Sequence, residues 1–189
     1  MKHLRSTKIK RETARKYDAL ADAYDRLYGE EQEAKIRAAL KSINFDQSDI
    51  VLDVGCGTGI LFHHLEERIH FLVGVDISAR LLRKAQYKSG RSQKISLVRA
   101  DADRLPFLNE IFDKIFAVTV LQNMPDAKVT LHEIKGILKK DGALVVTGLK
   151  KSFTKERLRW LLREADLELT DFEENGHLLG YIAICRRKN

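Results

Sequence analysis

Apolar and polar positions along the chain fall into two alternating patterns, short apolar runs of strand length and longer stretches of helical composition. Seven apolar runs predict strands, at DIVLDVG, HFLVGVDIS, KISLVRAD, FDKIFAVTV, ALVVTGL, LELTDFEE and LLGYIAICR. Predicted helices separate most of them, at ILFHHLEERI, ARLLRKAQYK, KVTLHEIKGILKK and TKERLRWLLREAD. Strands that alternate with helices of this length predict an α/β fold, in which helices cover both faces of a mostly parallel sheet.

The residues before the first strand have helical composition. We expect helices over residues 11–28 and 30–43, with Gly29 as the break between them, and we expect the sequence DG to stop the helix before the fifth strand. No repeat or low-complexity linker interrupts the chain. The 189 residues are therefore expected to form one domain, with a basic helical segment over 1–43 and a core over 44–189.

Composition narrows the class of protein. With 44% hydrophobic and 32% charged residues, the chain has the make-up of a soluble globular protein. No apolar run approaches the roughly 18 residues of a membrane span, and the basic N-terminus lacks the apolar core of a secretory signal. The two cysteines have no CxxC spacing, which disfavours a disulfide framework or a metal site and fits a cytoplasmic protein.

The net charge of +7 lies mainly at the two ends of the chain. Residues 1–16 carry a net charge of +6 and residues 186–188 add +3, which leaves −2 for residues 17–185. Three further lysines, Lys150, Lys151 and Lys155, follow the predicted fifth strand. This distribution favours an anionic partner such as RNA.

The stretch VLDVGCGTGI places three glycines directly after the first predicted strand. Ligands of open α/β sheets bind beyond the carboxyl ends of the strands, where the strand order reverses. Glycine at that point lets the backbone turn sharply, lets a ligand approach closely and lets the next helix pack near the strand. The residues Gly55, Gly57 and Gly59 therefore mark a candidate ligand loop.

Two carboxylates discriminate between the ligands that such a loop can bind. A dinucleotide needs the spacing GxGxxG, whereas the spacing here is GxGxG, and Asp53 before the loop would repel a pyrophosphate and attract an ammonium group. Asp76 ends the second predicted strand, where a carboxylate can accept hydrogen bonds from both hydroxyls of a ribose. S-adenosylmethionine, a nucleoside with a cationic amino-acid tail, fits both requirements.

These motifs resemble those of a known family, the class I S-adenosylmethionine-dependent methyltransferases. VLDVGCGTG resembles the first motif of the family, VGVDIS its acidic second motif, and RADADRLPF and FDKIFAVTVLQNMPD its third and fourth. YDALADAYD is similar to the segment that covers the cofactor in many small members. The resemblance spans residues 17–184. It implies a Rossmann-like three-layer sandwich, whose seven-stranded, mostly parallel sheet has an antiparallel last strand.

The resemblance also implies a binding site for S-adenosylmethionine. Asp53 would lie near the amino group and Asp76 would hold the ribose, while Tyr17 or Tyr24 would close over the site. The methionine part would lie along the three loop glycines, Gly55, Gly57 and Gly59.

The adenine and the sulfonium are assigned from the same resemblance. Ile77 would lie against the adenine, Asp101 would accept a hydrogen bond from its amino group, and Ala102 would lie beside it. Val118 and Gln122, after the fourth strand, would border the sulfonium. Because the sulfonium already activates the methyl group, holding the acceptor in line supplies much of the rate, and no conspicuous catalytic residue is expected.

Other reactive side chains are assigned structural roles. We expect Asp103 to be a solvated loop residue or a helix cap. His63, His64 and His132 lie in predicted helices and are expected on the surface or in packing. Cys56 is expected to have no chemistry, and no metal site is predicted.

The methyl acceptor is the open question. The sequence LQNMPD differs from the Asn-Pro-Pro-aromatic form of amide and adenine-amine methyltransferases, and no cysteine directly follows the fourth strand, which disfavours C5-pyrimidine chemistry. RNA, for example tRNA, or a protein of the translation machinery is the favoured substrate, and some small family members of this kind need a zinc-ribbon activator subunit. A small-molecule methyltransferase and a non-catalytic cofactor-binding subunit are the alternatives.

Overall fold

The computed structural model describes residues 2–188, with side chains from residue 4 onward. The helices are α1 (Lys2–Leu20), α2 (Tyr24–Leu40), α3 (Phe62–Leu65), α4 (Ala79–Ser89), α5 (Ala127–Ile137) and α6 (Lys155–Glu164). The strands are β1 (Ile50–Val54), β2 (Phe71–Asp76), β3 (Ile95–Arg99), β4 (Phe112–Ala117), β5 (Leu138–Leu149), β6 (Leu167–Glu173) and β7 (Gly180–Arg187). Among these described residues, no helix combines the length and the apolar character needed to cross a membrane.

The strands form one sheet in the order β3-β2-β1-β4-β5-β7-β6. β7 runs antiparallel to both of its neighbours, β5 and β6, and the other neighbouring strands pair in parallel. This arrangement confirms the predicted seven-stranded, mostly parallel sheet with an antiparallel last strand. The strand order reverses between β1 and β4, so a crevice is expected at the carboxyl ends of these two strands.

Helices cover both faces of the sheet, as neighbouring residues of β1 illustrate. Val51 belongs to a core that includes Ile36 of α2 and Leu65 of α3. Leu52 belongs to the core on the other face, which includes Ile134 of α5. Burial of each such side chain contributes about 1.5–3 kcal/mol. The three layers confirm the predicted Rossmann-like sandwich.

Three helices that follow strands begin at a side-chain cap. The caps of α4, α5 and α6 are Ser78, Asp126 and Thr154, whose side-chain oxygens accept a backbone N–H of the first turn. A cap of this kind is worth about 1 kcal/mol. Because each cap follows the carboxyl end of a strand, the caps also fix the turns that border the crevice.

Several predicted boundaries are wrong, each because tertiary packing outweighs a local signal. The break between the first two helices lies at residues 21–23, and Gly29 lies inside α2, although glycine within a helix costs about 1 kcal/mol. The segment ILFHHLEERI is α-helical only at Phe62–Leu65. The helix before β5 ends at Ile137, and the sequence DG lies inside β5, where a side chain at Gly142 would come within 2.6 Å of Leu138.

Candidate functional site

A cavity lies at the carboxyl ends of β1, β2, β3 and β4, covered by α1 and the start of α2. It contains about 670 Å³ of empty space, part of it open to solvent. Eight of the predicted cofactor residues line it: Tyr17, Tyr24, Gly55, Asp76, Ile77, Asp101, Ala102 and Val118. The lining does not include the other four, Asp53, Gly57, Gly59 and Gln122.

The glycine loop turns back over the end of β2. The backbone N–H groups of Gly55 and Cys56 both donate to the carbonyl oxygen of Val75, at 2.7 and 2.9 Å. Gly55 and Gly59 have φ angles of +70° and +78°, in the left-handed region that favours glycine. Of these two glycines only Gly55 lines the cavity. A side chain at Gly59 would overlap the ring of Phe62, so Gly59 allows the start of α3 to pack against the loop.

Asp76 fastens this loop to the end of β2. One of its carboxylate oxygens accepts a hydrogen bond from the Gly57 N–H at 2.9 Å, and the other accepts from the Ser78 N–H at 2.8 Å. Burial raises the pKa of Asp76, and these backbone donors counteract the rise in part. The carboxylate lines the cavity, and its remaining lone pairs can accept ligand hydroxyls.

Asp53 is a buried carboxylate on β1 with no cation beside it. Burial raises its pKa to about 8, and the charge of Asp76 adds to the rise. Within residues 4–188, no side chain forms an ion pair with it. A buried charge without a partner is unfavourable, so a cationic ligand group would relieve this cost. An ammonium group that reached this carboxylate would favour its ionised form.

Lys10 of α1 reaches across to the acidic side chains that follow β3. Its ammonium lies 2.7 Å from a carboxylate oxygen of Asp101 and 2.5 Å from one of Asp103. Burial alone would lower the pKa of Lys10, but the hydrogen bonds to both carboxylates raise it. Asp103 also accepts a hydrogen bond from the Thr130 hydroxyl at 2.5 Å. The prediction that Asp103 is a solvated residue is therefore wrong, because it pairs with a lysine from a distant helix.

Thr119, the second residue after β4, lines the cavity and has a strained backbone. Its φ angle is +64°, which is rare for a β-branched residue and costs about 1–3 kcal/mol. Its N–H donates to the Thr147 hydroxyl at 2.7 Å, and its own hydroxyl donates to the side-chain oxygen of Gln32 at 2.8 Å. The buried Lys35 also lies 3.3 Å from this hydroxyl. Side chains from β5 and α2 thus hold the turn in place.

Gln122 folds back onto this turn. Its side-chain amide donates to the carbonyl oxygen of Thr119, and its own side-chain oxygen is buried without a partner in the part of the chain that the structure describes. Asn123 donates to the same carbonyl at 3.0 Å. Asn123 and Met124 line the cavity in the place predicted for Gln122.

Both predicted tyrosines line the cavity. The rings of Tyr17 and Tyr24 meet edge to face, with centroids 6.0 Å apart, and burial raises the pKa of each hydroxyl. Asp18 anchors α1 beside them, because it accepts hydrogen bonds from the Ser78 hydroxyl at 2.6 Å and from the Arg80 N–H at 3.0 Å. The cover over the cavity is therefore attached to the first turn of α4.

Sequence reasoning missed Lys10 and Thr13 as lining residues. Together with Tyr17 they lie at helical spacings of three and four residues, which places all three side chains on one face of α1. The spacing of these three residues could have indicated that they share a helix face. Because the predicted helix began at residue 11, Lys10 lay outside it and the shared face was not recognised.

The sequence of this chain matches a known protein family. Residues 52–146 match the model of a family described as a methyltransferase domain. A demethylmenaquinone methyltransferase of Tropheryma whipplei is 34% identical over 139 residues, which are 71% of this chain and 58% of that protein. The chain spans about half the length of the curated relatives it matches.

Solved structures share the fold at low sequence identity. A methyltransferase of Haloferax volcanii in complex with the Trm112 methyltransferase activator has a TM-score of 0.80 and 18% identity, over 92% of this chain and 98% of that chain. Magnesium protoporphyrin IX methyltransferase of Synechocystis, solved with bound S-adenosylmethionine, has a TM-score of 0.78 and 16% identity, over 95% and 97%. Since the family model, the motif order and the sheet order agree, the chain belongs to the class I S-adenosylmethionine-dependent methyltransferases.

Proposed function

We propose that this protein transfers the methyl group of S-adenosylmethionine to RNA, for example to a tRNA. The observation that carries the RNA assignment is a groove beside the cavity, lined by exposed arginines that form no ion pair within residues 4–188. Of the three carboxylates that also line it, Asp101 and Asp103 pair with Lys10, and Asp126 caps α5. The cofactor part of the proposal rests on the cavity, which Asp76 of β2 lines, and on a second buried carboxylate, Asp53 of the neighbouring strand β1.

Residues that line the cavity, together with the buried Asp53 of β1, match the parts of the cofactor. Asp76 would accept hydrogen bonds from the ribose hydroxyls, Asp53 would face the ammonium group, and Ile77 would lie against the adenine. Tyr17 and Tyr24 would cover the bound cofactor and exclude water from the cavity. When bound, S-adenosylmethionine supplies a methyl group activated by its sulfonium. The protein then needs only to hold the acceptor in line with that methyl group.

At about pH 6.5, binding of S-adenosylmethionine is expected to release about one proton per protein. Asp53, with its pKa raised to about 8, is protonated in the free protein, and an adjacent ammonium group favours its ionised form. The ammonium of the ligand itself stays protonated, because an α-amino group titrates at about 7.7–8.0. Below pH 8 the affinity should fall by up to about tenfold per pH unit.

Calorimetry in two buffers with different heats of ionisation measures this proton. Asp53→Asn, which cannot ionise, is the matched control and should release none. An equal release in both proteins, or none in either, would contradict the assignment of Asp53 to the ammonium group.

The groove that supports RNA binding runs along α1 next to the cavity. Arg5, Arg11 and Arg104 line it, are exposed, and form no ion pair within residues 4–188. Lys10 and Asp101 line both the groove and the cavity, so the two are continuous. Arginines of this kind can bind phosphates on both sides of a nucleotide whose base or ribose enters the cavity.

The three lysines after β5 give the proposal less support than expected. Lys155 forms an ion pair with Glu174 at 2.6 Å. Lys150 donates to the backbone oxygen of Asn175 at 2.8 Å. Only Lys151 is exposed with neither kind of contact in the described residues. The arginine groove therefore carries more of the argument.

Replacing Arg5, Arg11 and Arg104 together by glutamine is expected to weaken RNA binding and to flatten its dependence on salt. The slope against log salt should fall by up to about 0.9 for each duplex phosphate that the variant no longer neutralises. Cofactor affinity should not change, because the variant keeps Lys10. A deletion of residues 1–10 would be less informative, because Lys10 lines the cavity.

The matched control replaces three exposed basic residues outside the groove, Lys41, Lys140 and Arg163. Filter binding with unmodified tRNA at several salt concentrations compares the two triple variants. If both lose affinity equally, the groove has no special role. If full-length protein binds no RNA at low salt, the RNA assignment is wrong.

A small-molecule acceptor is the second candidate. The matching relative from Tropheryma whipplei is named a demethylmenaquinone methyltransferase. In addition, α1 and Tyr24 cover the cavity, and a covered cavity favours an acceptor small enough to fit inside it. A test with tritiated S-adenosylmethionine and fractionated cell extract separates the candidates. Label in RNA supports the first, label in small molecules supports the second, and no label would favour a non-catalytic cofactor-binding subunit.

An activator subunit is part of the first proposal. The Haloferax volcanii methyltransferase is bound to the Trm112 activator, and its fold matches this chain over nearly its whole length. We therefore propose that a subunit of this kind increases activity here. The extract test is run with and without an added Trm112-type protein, and equal labelling in both would argue against a need for it.

A further inference from the structure

We propose that Glu33, His63 and His64 form a binding site for a divalent transition metal such as Zn²⁺. Glu33 lies on α2, and the two histidines are the second and third residues of α3. The three possible ligand atoms, one from each side chain, all lie within 4.8 Å of one another. The site lies apart from the residues that line the cofactor cavity.

The distances bracket those of a zinc site. The His64 Nε2 atom lies 2.9 Å from Glu33 Oε1, and the His63 Nε2 atom lies 3.9 Å from Glu33 Oε2. With metal–ligand bonds of about 2.0–2.2 Å, ligand atoms on a tetrahedral ion are about 3.3–3.6 Å apart. Small side-chain movements would therefore bring all three ligands to one ion.

The backbone positions of the ligands are already fixed. Ile36 and Ala39 of α2 are buried, as are Phe62 and Leu65 of α3. Both helices are thus held against the same face of the core. Glu33 and the two histidines need no rearrangement of the fold to converge, which lowers the cost of binding.

The Nε2 atom of His64 points at the carboxylate that would share the metal. It is buried and lies 2.9 Å from Glu33 Oε1, and among the described residues it forms this charged contact but no regular hydrogen bond. Glu33 Oε1 already accepts a hydrogen bond from Arg37 Nε at 2.7 Å. A cation between imidazole and carboxylate would satisfy both, and Glu33 Oε2 remains available to bind it.

The surroundings leave room for a complete coordination shell. Glu30, Glu66 and His63 line a hollow that is open to solvent, so water or a further carboxylate can supply the remaining ligands. Lys88 also lines it, but its charge is engaged by Asp25 at 2.7 Å. Burial, together with the neighbouring His64, lowers the pKa of His63, which keeps its imidazole neutral and able to bind metal at neutral pH.

The donor set selects the kind of metal. Two imidazoles and one carboxylate suit zinc and neighbouring transition metals, whereas magnesium and calcium prefer oxygen donors alone. A bound ion would link α2, which carries Tyr24 over the cofactor cavity, to the helix that follows the glycine loop. The prediction of surface or packing roles for His63 and His64, with no metal, is revised by this proposal.

The test is a calorimetric titration of the full-length protein with ZnCl₂. Wild type should bind one ion, and His63→Ala should lose about a hundredfold or more in affinity, because even the outer partners of a metal site are worth about 10- to 100-fold. His177→Ala, at an exposed histidine elsewhere, is the control and should bind as wild type does. The His63 side chain is 63% exposed, so its removal should leave the metal-free melting temperature unchanged.

Thermal unfolding gives a second readout. Zinc should raise the melting temperature of wild type and of His177→Ala, and should not raise that of His63→Ala. The proposal is wrong if wild type binds no zinc, or if His63→Ala binds it as tightly as wild type. Neither measurement uses S-adenosylmethionine, so the result is independent of the proposed methyl transfer.

Discussion

Asp76→Ala is expected to weaken binding of S-adenosylmethionine by about ten- to a hundredfold. A carboxylate that takes charge-assisted hydrogen bonds from two ribose hydroxyls contributes about 1.5–3 kcal/mol to binding, and each 1.4 kcal/mol corresponds to about a factor of ten. The loop should also loosen, because the N–H groups of Gly57 and Ser78 lose their acceptors. Each buried N–H left without a partner costs about 1–3 kcal/mol of stability.

A matched variant separates binding from stability. Asp113 also accepts a backbone hydrogen bond, from the Ile50 N–H at 2.9 Å, and pairs with Lys139 at 2.7 Å. It is the second residue of β4 and lies beside the amino end of β1, away from the cavity. Asp113→Ala should therefore lower the free energy of unfolding without changing cofactor affinity. If calorimetry shows that Asp76→Ala binds the cofactor as tightly as wild type, the ribose assignment fails.

Gly59→Ala is expected to lower the free energy of unfolding by about 2–5 kcal/mol. The left-handed φ angle of +78° costs an alanine about 1–2 kcal/mol. The new methyl group would overlap the ring of Phe62, and overpacking of this kind costs a further 1–3 kcal/mol or so. Unfolding in urea, followed by circular dichroism, measures the loss.

Gly90→Ala is the control for the backbone part of this effect. Gly90 also has a positive φ angle, +59°, but an added methyl group would meet nothing within 4 Å. Its ψ angle is −126°, outside the left-handed helical region, so alanine there carries a backbone cost of at least about 1–2 kcal/mol without any overlap. A loss at Gly59 of no more than about 2 kcal/mol would mean that Phe62 moves aside and that Gly59 is needed for its conformation alone.

The prediction for Asp76 could be made from the sequence, whereas the prediction for Gly59 needs the tertiary structure. The proposed pairing of Asp76 with a ribose was inferred from its place at the end of a predicted strand, and the sequence alone led to this proposal. The role of Gly59 does not follow from the sequence, which treats the three loop glycines alike. The structure distinguishes Gly59, where a side chain would meet the ring of Phe62, from Gly55, where a side chain would meet Val120 and which lines the cavity.

The cavity wall formed by the residues after β4 was the least predictable part of the site. A motif match placed Gln122 near the sulfonium, but the strained turn at Thr119 directs Gln122 back to the backbone and puts Asn123 and Met124 at the cavity wall. The strain is maintained by Gln32 and Thr147, which lie far from this turn in sequence. Hydrogen bonds between such distant residues leave no local pattern that could be read beforehand.

The sequence by itself determined the alternation of strands and helices and the position of the ligand loop, because strands buried on both faces need apolar runs and a sharp turn beside a ligand needs glycine. It also determined that Asp53, Asp76 and Asp101 meet at one edge, since parallel strands end there together. Only the tertiary structure decided how α1 closes this edge. Lys10 pairs with Asp101 across 91 positions of the chain, and an ion pair between residues so far apart depends on the packing of whole elements rather than on local spacing.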